Sequence, residues 1–473
     1  MRLASYSRAV SVSKGGPVAT PPVRPRSLWC DRDFRLLWLG ETTSTVGANI
    51  SRVALPLVAV VTVHASTLQV SALTAAAWLP WLVVGLPTGA WVDRLPRRPV
   101  MLLCDVASLI LLLSVPLAAW FGVLTYGQLL AVAVLTGASS VFFTTAYSVY
   151  VPGLVTGEQV REANAKLQGS EAVAQVAGPG LAGLLAQLAG AVSGLVADAL
   201  SFLVSAVCLL RIQRAEDVQP TARGTGLHQE IAAGLRLVVG DPYLRVLAVF
   251  GALTNLTLVG YQSLLVVFLV REVGVGPATV GALLATTSAG GVLGASVAAR
   301  LARRVGSARA LLLSALGTAP FGLLIPLTAP GLRLALVATG GFVVGCGAVT
   351  GNVIKDSWRQ VYCPRHLLGR VLVSMQVLNY GAIPVGALLA GTLGSTVGLR
   401  PALWILTSGL AMAALTLLFS PLRRHRDLPQ NRSALVRQSF PAPHETACRF
   451  VGGDSSTPTA PSEFGRPPPG PSR

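Results

Sequence analysis

Gly85-Leu-Pro-Thr-Gly-Ala-Trp-Val-Asp-Arg-Leu-Pro-Arg-Arg-Pro-Val100 breaks two long apolar runs with charge and proline. The rest of the 473-residue chain makes that break conspicuous, since 52% of its residues are hydrophobic and 12% are charged. A soluble protein carries roughly 25% charged residues. Half that share, with a mean hydropathy of +0.63, describes a chain whose solvent is lipid. Apolar runs of about 20 residues recur along it, each long enough to cross ~30 Å of hydrocarbon. They lack the polar face that a helix of a large soluble protein shows. The stretch at 85–100 therefore reads as a short turn in water between two spans.

Twelve spans are predicted, at about 36–61, 71–91, 99–121, 127–151, 171–190, 192–211, 245–270, 279–299, 309–328, 333–353, 370–393 and 400–420. Residues 212–243 form the one long internal connection, which ends in the amphipathic segment Glu230–Val239, an interfacial helix by pattern. This linker separates a six-helix bundle over 34–211 from a second over 244–420. RLPRRPVML, beginning at Arg94, is echoed by RLARRVGSARALLL, beginning at Arg300. Val151-Pro152 and Gly178-Pro179 likewise find counterparts in Cys363-Pro364 and Ile383-Pro384, all shifted by about 210 positions. The fold class expected is an all-α membrane protein with twelve transmembrane helices in two six-helix pseudo-repeat halves. Residues 1–33 and 421–473 mix Arg, Pro, Ser and Gly without apolar periodicity and read as disordered tails.

The net charge of +18 would suggest nucleic acid on a soluble face. Here the arginines are spread over short loops and tails, where they set orientation in the bilayer. With the N-terminus inside, only Arg271, Arg333 and Arg400 fall outside, and Arg52 lies within the first span. Both termini are expected in the cytoplasm, with the chain in the cell (inner or plasma) membrane. Six cysteines show no metal spacing and five histidines are scattered. No phosphate-binding glycine loop is present. A non-enzymatic monomer without metal or cofactor is expected, and nucleic acid is not an expected partner.

Gly85, Gly89, Asp93-Arg94 and Arg97-Arg98 resemble the signature loop of the major facilitator superfamily, G-x-x-x-D-R-x-G-R-K/R, with Pro96 where the pattern prefers Gly. Phe34-Arg-Leu-Leu-Trp-Leu-Gly40, Val53-Ala-Leu-Pro-Leu57, Ala197-Asp-Ala-Leu-Ser-Phe202 and Val151-Pro with Ala163-Asn-Ala resemble its bacterial drug-efflux and enterobactin-exporter branch. The resemblance implies a secondary transporter that works by alternating access, coupled to protons and exporting amphipathic or hydrophobic small molecules. A specialised exporter of a siderophore or other secondary metabolite is the near alternative, and a transporter-derived receptor or scaffold the more distant one.

Candidate residues follow from chemistry and resemblance together. Gly85 and Gly89 share a helix face and would let a neighbouring helix approach. Asp93 can pair with Arg94, Arg97 or Arg98 as a gate at the cytoplasmic face, while the arginines alone would serve topology. Gly178, Pro179 and Gly183 resemble the antiporter signature of the fifth span, with Ala182 in place of one glycine. Pro179 removes a helix hydrogen bond. Charges inside spans are costly and so mark function. Glu41, about 8 Å inside the first span, is a proton carrier or an interfacial residue. Arg52 and Asp198 lie at similar depth and are expected to pair, with Asp198 a proton site otherwise. Asp105 begins the third span close to the basic loop; it is an ion-coupling candidate, with support of that loop the favoured role over carrying protons. Phe143, Tyr147 and Tyr150 form one stripe of the fourth span, which the resemblance places on the central cavity. They could bind a flat apolar compound or serve as a helix contact. Asn255, Tyr261, Gln262, Asn379 and Tyr380 are further cavity candidates.

Overall fold

Each helix starts and stops where the sequence supplies the signal. The Asp31 carboxylate accepts from the backbone N–H of Asp33 at 2.9 Å and of Phe34 at 3.2 Å, opening α1 (Arg32–Val61). A reciprocal capping box between Ser66 and Gln69 opens α2 (Thr67–Val83). Val84 breaks the next stretch, and α3 (Gly85–Val92) follows. Then come α4 (Arg97–Trp120), α5 (Tyr126–Leu154), α6 (Val160–Ala189) and α7 (Ser193–Arg211). Asp241 caps α8 (Pro242–Val267), with Pro242 where its missing N–H costs nothing. The chain continues through α9 (Pro277–Val305), α10 (Ser307–Thr318), a 3-10 segment Ala319–Leu327, α11 (Leu334–Tyr362), α12 (Arg365–Thr396) and α13 (Leu399–Leu415).

The computed structural model describes residues 28–92, 95–155, 159–213, 235–236, 238–363 and 365–429. Among the described residues there is no strand. Ten of their helical segments are long and apolar enough to cross a membrane, and α2 and α13 are shorter apolar helices. The chain is a multi-pass, all-helical membrane protein.

In the first group, α1 packs on α6 and α7, α4 on α5 and α7, and α2 on α5. In the second, α8 packs on α12 and α13, α9 on α11, and α11 on α10 and the 3-10 segment. Two seams join the groups, α2 with α12 and α6 with α9. Apolar side chains from both groups, including Leu57, Leu73, Leu264, Phe268 and Leu403, share one buried core.

Several expected boundaries move. The segment expected at 171–190 begins eleven residues earlier, at Val160, and the one expected to end at 353 runs on to Tyr362. These extensions carry charged residues, so an apolar window misses them. The expected tails also shorten. Leu28 and Phe34 are fully buried beside Ala163. At the other end Leu422 and Leu428 are buried, and the Trp358 indole donates to the Pro429 carbonyl at 2.8 Å. Of the expected interfacial helix Glu230–Val239, residues 230–234 and 237 lie outside the described residues, and 235, 236, 238 and 239 are helical.

Candidate functional site

One end of the bundle is basic, carrying Arg97, Arg98, Arg211, Arg303, Arg304 and Arg309. The opposite end holds the closest approaches between the two helix groups. A Cβ on Gly183 of α6 would lie 2.8 Å from the Gly281 Cα of α9, and one on Gly281 would lie 2.8 Å from the Gly183 Cα. On the other seam, a Cβ on Gly391 would lie 2.8 Å from Ser71 Cβ, and one on Gly394 2.8 Å from Thr67 Cγ2. Arg271 Nη2 donates to the Ala65 carbonyl at 2.6 Å, tying α8's end to the α1–α2 turn. Small residues are what allow such contact between helices in lipid. Gly178 sits on the α1–α6 crossing, where an added Cβ would come 3.0 Å from the Asn49 carbonyl carbon. Pro179 is buried beside it.

Three acids of the first group approach one another, Asp105 buried and Glu41 and Glu171 half-buried, with Arg52 exposed further along α1. Glu41, Thr45 and Arg52 lie on one stripe of α1, since eleven residues at about 100° each return nearly to the same face. Thr45 follows Glu41 by one helical turn on that stripe. Asp105 of α4 and Glu171 of α6 are close enough to act on Glu41 electrostatically, and Glu171 acts on Arg52 as well. Gln175 Nε2 donates to Glu171 Oε1 at 3.3 Å. Asp105 is 0% exposed, and neither of its oxygens has a partner within 3.5 Å. It is therefore an interior group beside Ser205, and its expected role as a support for the basic loop is corrected. Tyr147 of α5 faces the same acids.

The expected Arg52–Asp198 pair does not form. Asp198 is buried against Gly47 and accepts from Ser201 Oγ at 3.2 Å. Arg52 is five residues beyond Gly47, about 140° around the helix, so it points away from the α1–α7 seam. Equal depth says nothing about direction.

Aromatic side chains meet across the α2–α12 seam, while an aromatic pair lies within the first group and an amide pair within the second. Tyr380 of α12 meets Trp78 and Trp81 of α2 edge-on, with centroids 5.5 and 5.6 Å away. Asn255 Nδ2 reaches the Asn379 carbonyl at 3.4 Å, and Asn379 Nδ2 donates to Met375 O at 2.8 Å. On α5, Phe143 and Tyr147 stack at 6.0 Å and 16°. Tyr261 is a correction: at 1% exposure it belongs to the apolar core, whereas Gln262 next to it is exposed.

The opening stretch behaves differently from its reading. An added Cβ on Gly85 would meet nothing within 4 Å, so the expected helix approach there does not occur. Gly89 lies within α3. Asp93 and Arg94 lie outside the described residues. Arg97 is buried at the start of α4. Arg98 Nε and Nη2 donate to the carbonyls of Leu209 at 2.8 Å and Leu210 at 2.9 Å, the open end of α7. A cation on terminal carbonyls also complements the helix dipole. Arg98→Leu is expected to cost about 1–3 kcal/mol, read as a lower unfolding midpoint in detergent that Arg98→Lys restores in part. An unchanged midpoint would remove this capping role.

Glu171, Trp78 and Trp81 were not candidates from sequence. Glu171 stood at the predicted edge of its span. The signal for the tryptophans was their i, i+3 spacing within an apolar run.

Residues 27–446 match the family described as transmembrane secretion effector. The chain is 31% identical over 405 residues to the multidrug efflux pump Tap of Mycolicibacterium fortuitum, covering 83% of this chain and 97% of that one. It is 28% identical over 420 residues to the enterobactin exporter EntS of Escherichia coli, covering 85% and 95%. Among solved structures, the nucleoside transporter NupG superposes with a TM-score of 0.67 at 10% identity, over 83% of this chain and 99% of that one. A bacterial homologue of the iron transporter ferroportin, in an inward-facing state, gives 0.66 at 17%, over 82% and 98%. Likeness at those identities is a likeness of fold.

Proposed function

Because the chain belongs to the transmembrane secretion effector family of the major facilitator superfamily, we propose that it is a secondary exporter of amphipathic or hydrophobic small molecules, driven by proton antiport. The observation that carries this reading is the approach of Glu41, Asp105 and Glu171 within the first helix group, with the exposed Arg52 on the same stripe of α1 as Glu41. Ionisable side chains are costly at that depth and are characteristic of relays. The Trp78, Trp81 and Tyr380 cluster and the Phe143–Tyr147 stack supply flat apolar surface for cargo, and Asn255 with Asn379 supplies polar orientation. The relatives named as a multidrug pump and an enterobactin exporter support export as the direction.

The helices form twelve spans in two six-helix repeats, since α1 on α7 corresponds to α8 on α13 and α4 on α5 to α10 on α11 under the same shift. The basic end faces the cytoplasm, following the arginines. The chain is then closed on the outside and open inward. Gly178, Pro179 and Gly183 are the surface on which the halves rock, and Asp93 with its arginines latches the inner side in the opposite state. Asp198 is structural.

The test is dye efflux from proteoliposomes carrying an imposed pH gradient. Export against the dye gradient that an uncoupler collapses is expected, and Asp93→Asn is expected to insert normally and lose it. Flux indifferent to the uncoupler would refute proton coupling. Export confined to an iron-chelating catecholate, with no dye moved, would favour the specialised exporter, the reading that the 28% relation to EntS supports.

A further inference from the structure

The second helix group contains an ionisable residue that the transport reading leaves unused. Lys355 lies on α11 and is 9% exposed, with its ammonium 5.1 Å from the centroid of the Phe250 ring. Among the described residues no carboxylate lies within ion-pair distance of it. The charge that acts on it is Arg359, which is of the same sign and is itself paired with Asp356. An ammonium taken out of water without a counter-charge is strongly unfavourable. A ring face offsets only about 2 kcal/mol of that.

Lys355 borders a cavity of about 40 Å³ that Phe250, Thr254, Ser314, Thr318 and Asn352 also line. One water needs about 10–15 Å³, so the space holds one small ion with a water or two. A drug-sized ligand needs about 300–1,000 Å³ and does not fit. The hydroxyls of Ser314 and Thr318 already donate to the carbonyls of Leu311 at 2.9 Å and Ser314 at 2.5 Å. The Thr254 hydroxyl is buried and has no partner. The donors left facing the cavity from Lys355 and Thr254 are thus a cation and an unsatisfied O–H. Water beside an occupant can donate to the lone pairs of Ser314 and Thr318.

We propose that this cavity binds a small monovalent anion of chloride size, held between the Lys355 ammonium and the Thr254 hydroxyl. The ion supplies the missing counter-charge and the missing acceptor together. The other half presents the opposite sign at the corresponding place. Glu41, Asp105 and Tyr147 precede Phe250, Ser314 and Lys355 by about 210 positions. That comparison rests on the two-repeat reading, whereas the anion site stands on the cavity alone.

The test needs no transport assay. Thermal unfolding of the purified full-length chain is followed in sodium chloride, sodium bromide and sodium gluconate at matched concentration. A saturable rise of a few °C is expected in chloride and bromide and not in the larger gluconate. Thr254→Val is expected to raise the half-saturating chloride concentration about tenfold, and Lys355→Met to abolish the response. A bromide soak is expected to give an anomalous peak in the cavity. No halide response in the wild-type chain, or an equal response in Thr254→Val, would overturn the proposal and leave a cavity that holds water only. If Lys355→Met fails to fold, the Thr254→Val titration and the bromide peak still decide. Loss of dye export with an intact halide response would leave this site standing and count against the transport reading.

Discussion

Glu41→Gln is expected to reach the membrane in normal amount and to lose proton-driven export at least about tenfold. The amide has the size of the acid and cannot carry a proton. Glu41 shares its space with Asp105 and Glu171, so removing one acid also relieves like-charge repulsion. The fold is therefore not the expected casualty. The discriminating measurement is substrate counterflow without a gradient, which needs alternating access but no net proton movement. Counterflow is expected to survive in the variant. Full export by Glu41→Gln would exclude Glu41 as a carrier, and loss of counterflow as well would move its role to cargo binding or to the rocking motion.

Gly183→Val is expected to impair transport by a comparable factor for a different reason. The atoms facing an added Cβ at Gly183 are backbone atoms of α9, with the Gly281 Cα at 2.8 Å. Backbone cannot rotate aside as a side chain can, so α6 and α9 must separate. Overpacking of this kind costs about 1–3 kcal/mol, and 1.4 kcal/mol already moves a two-state equilibrium tenfold. The closed arrangement of the opposite end should then be depopulated. An Ala278→Cys reporter beside the contact is expected to react faster with an impermeant maleimide when Gly183→Val is present. Unchanged labelling and unchanged transport together would mean that the seam plays no part in closure.

The alternation of apolar runs with arginine-bearing turns was enough to place nearly every helix, because lipid demands long apolar segments and rewards basic residues on one side. Where helices continue into water, hydropathy loses them. Glu171 lies about 16 Å along α6 from Val160 at 1.5 Å per residue, well inside the helix, yet its predicted span began there. Lys355 suffered the same fate on α11. Direction around a helix was the second blind spot. Arg52 and Asp198 matched in depth and faced apart, and Tyr261 looked like a polar cavity residue while its whole ring is core. Glu41, Tyr147, Asn255, Asn379 and Tyr380 were legible because polar or aromatic groups in apolar runs are few. Trp78 and Trp81 were hidden by being apolar enough to pass as ordinary span residues.

The short segment after α13 has a mechanical meaning. Tyr243 at the head of α8 meets His425 at 3.2 Å, the Ser307 backbone N–H at the head of α10 donates to Asp427 at 2.8 Å, and the Trp358 indole near the end of α11 donates to Pro429. Gly306, with a φ of +95° that suits glycine, lets the α9–α10 turn lie flat against Arg426. Three helices are thus laced together by one strap at the basic end. A laced half would move as a lever rather than as separate staves. Under the alternating access proposed above, a displacement at one end would then reach the other, which is what a carrier needs if a single binding event is to open one side and shut the other.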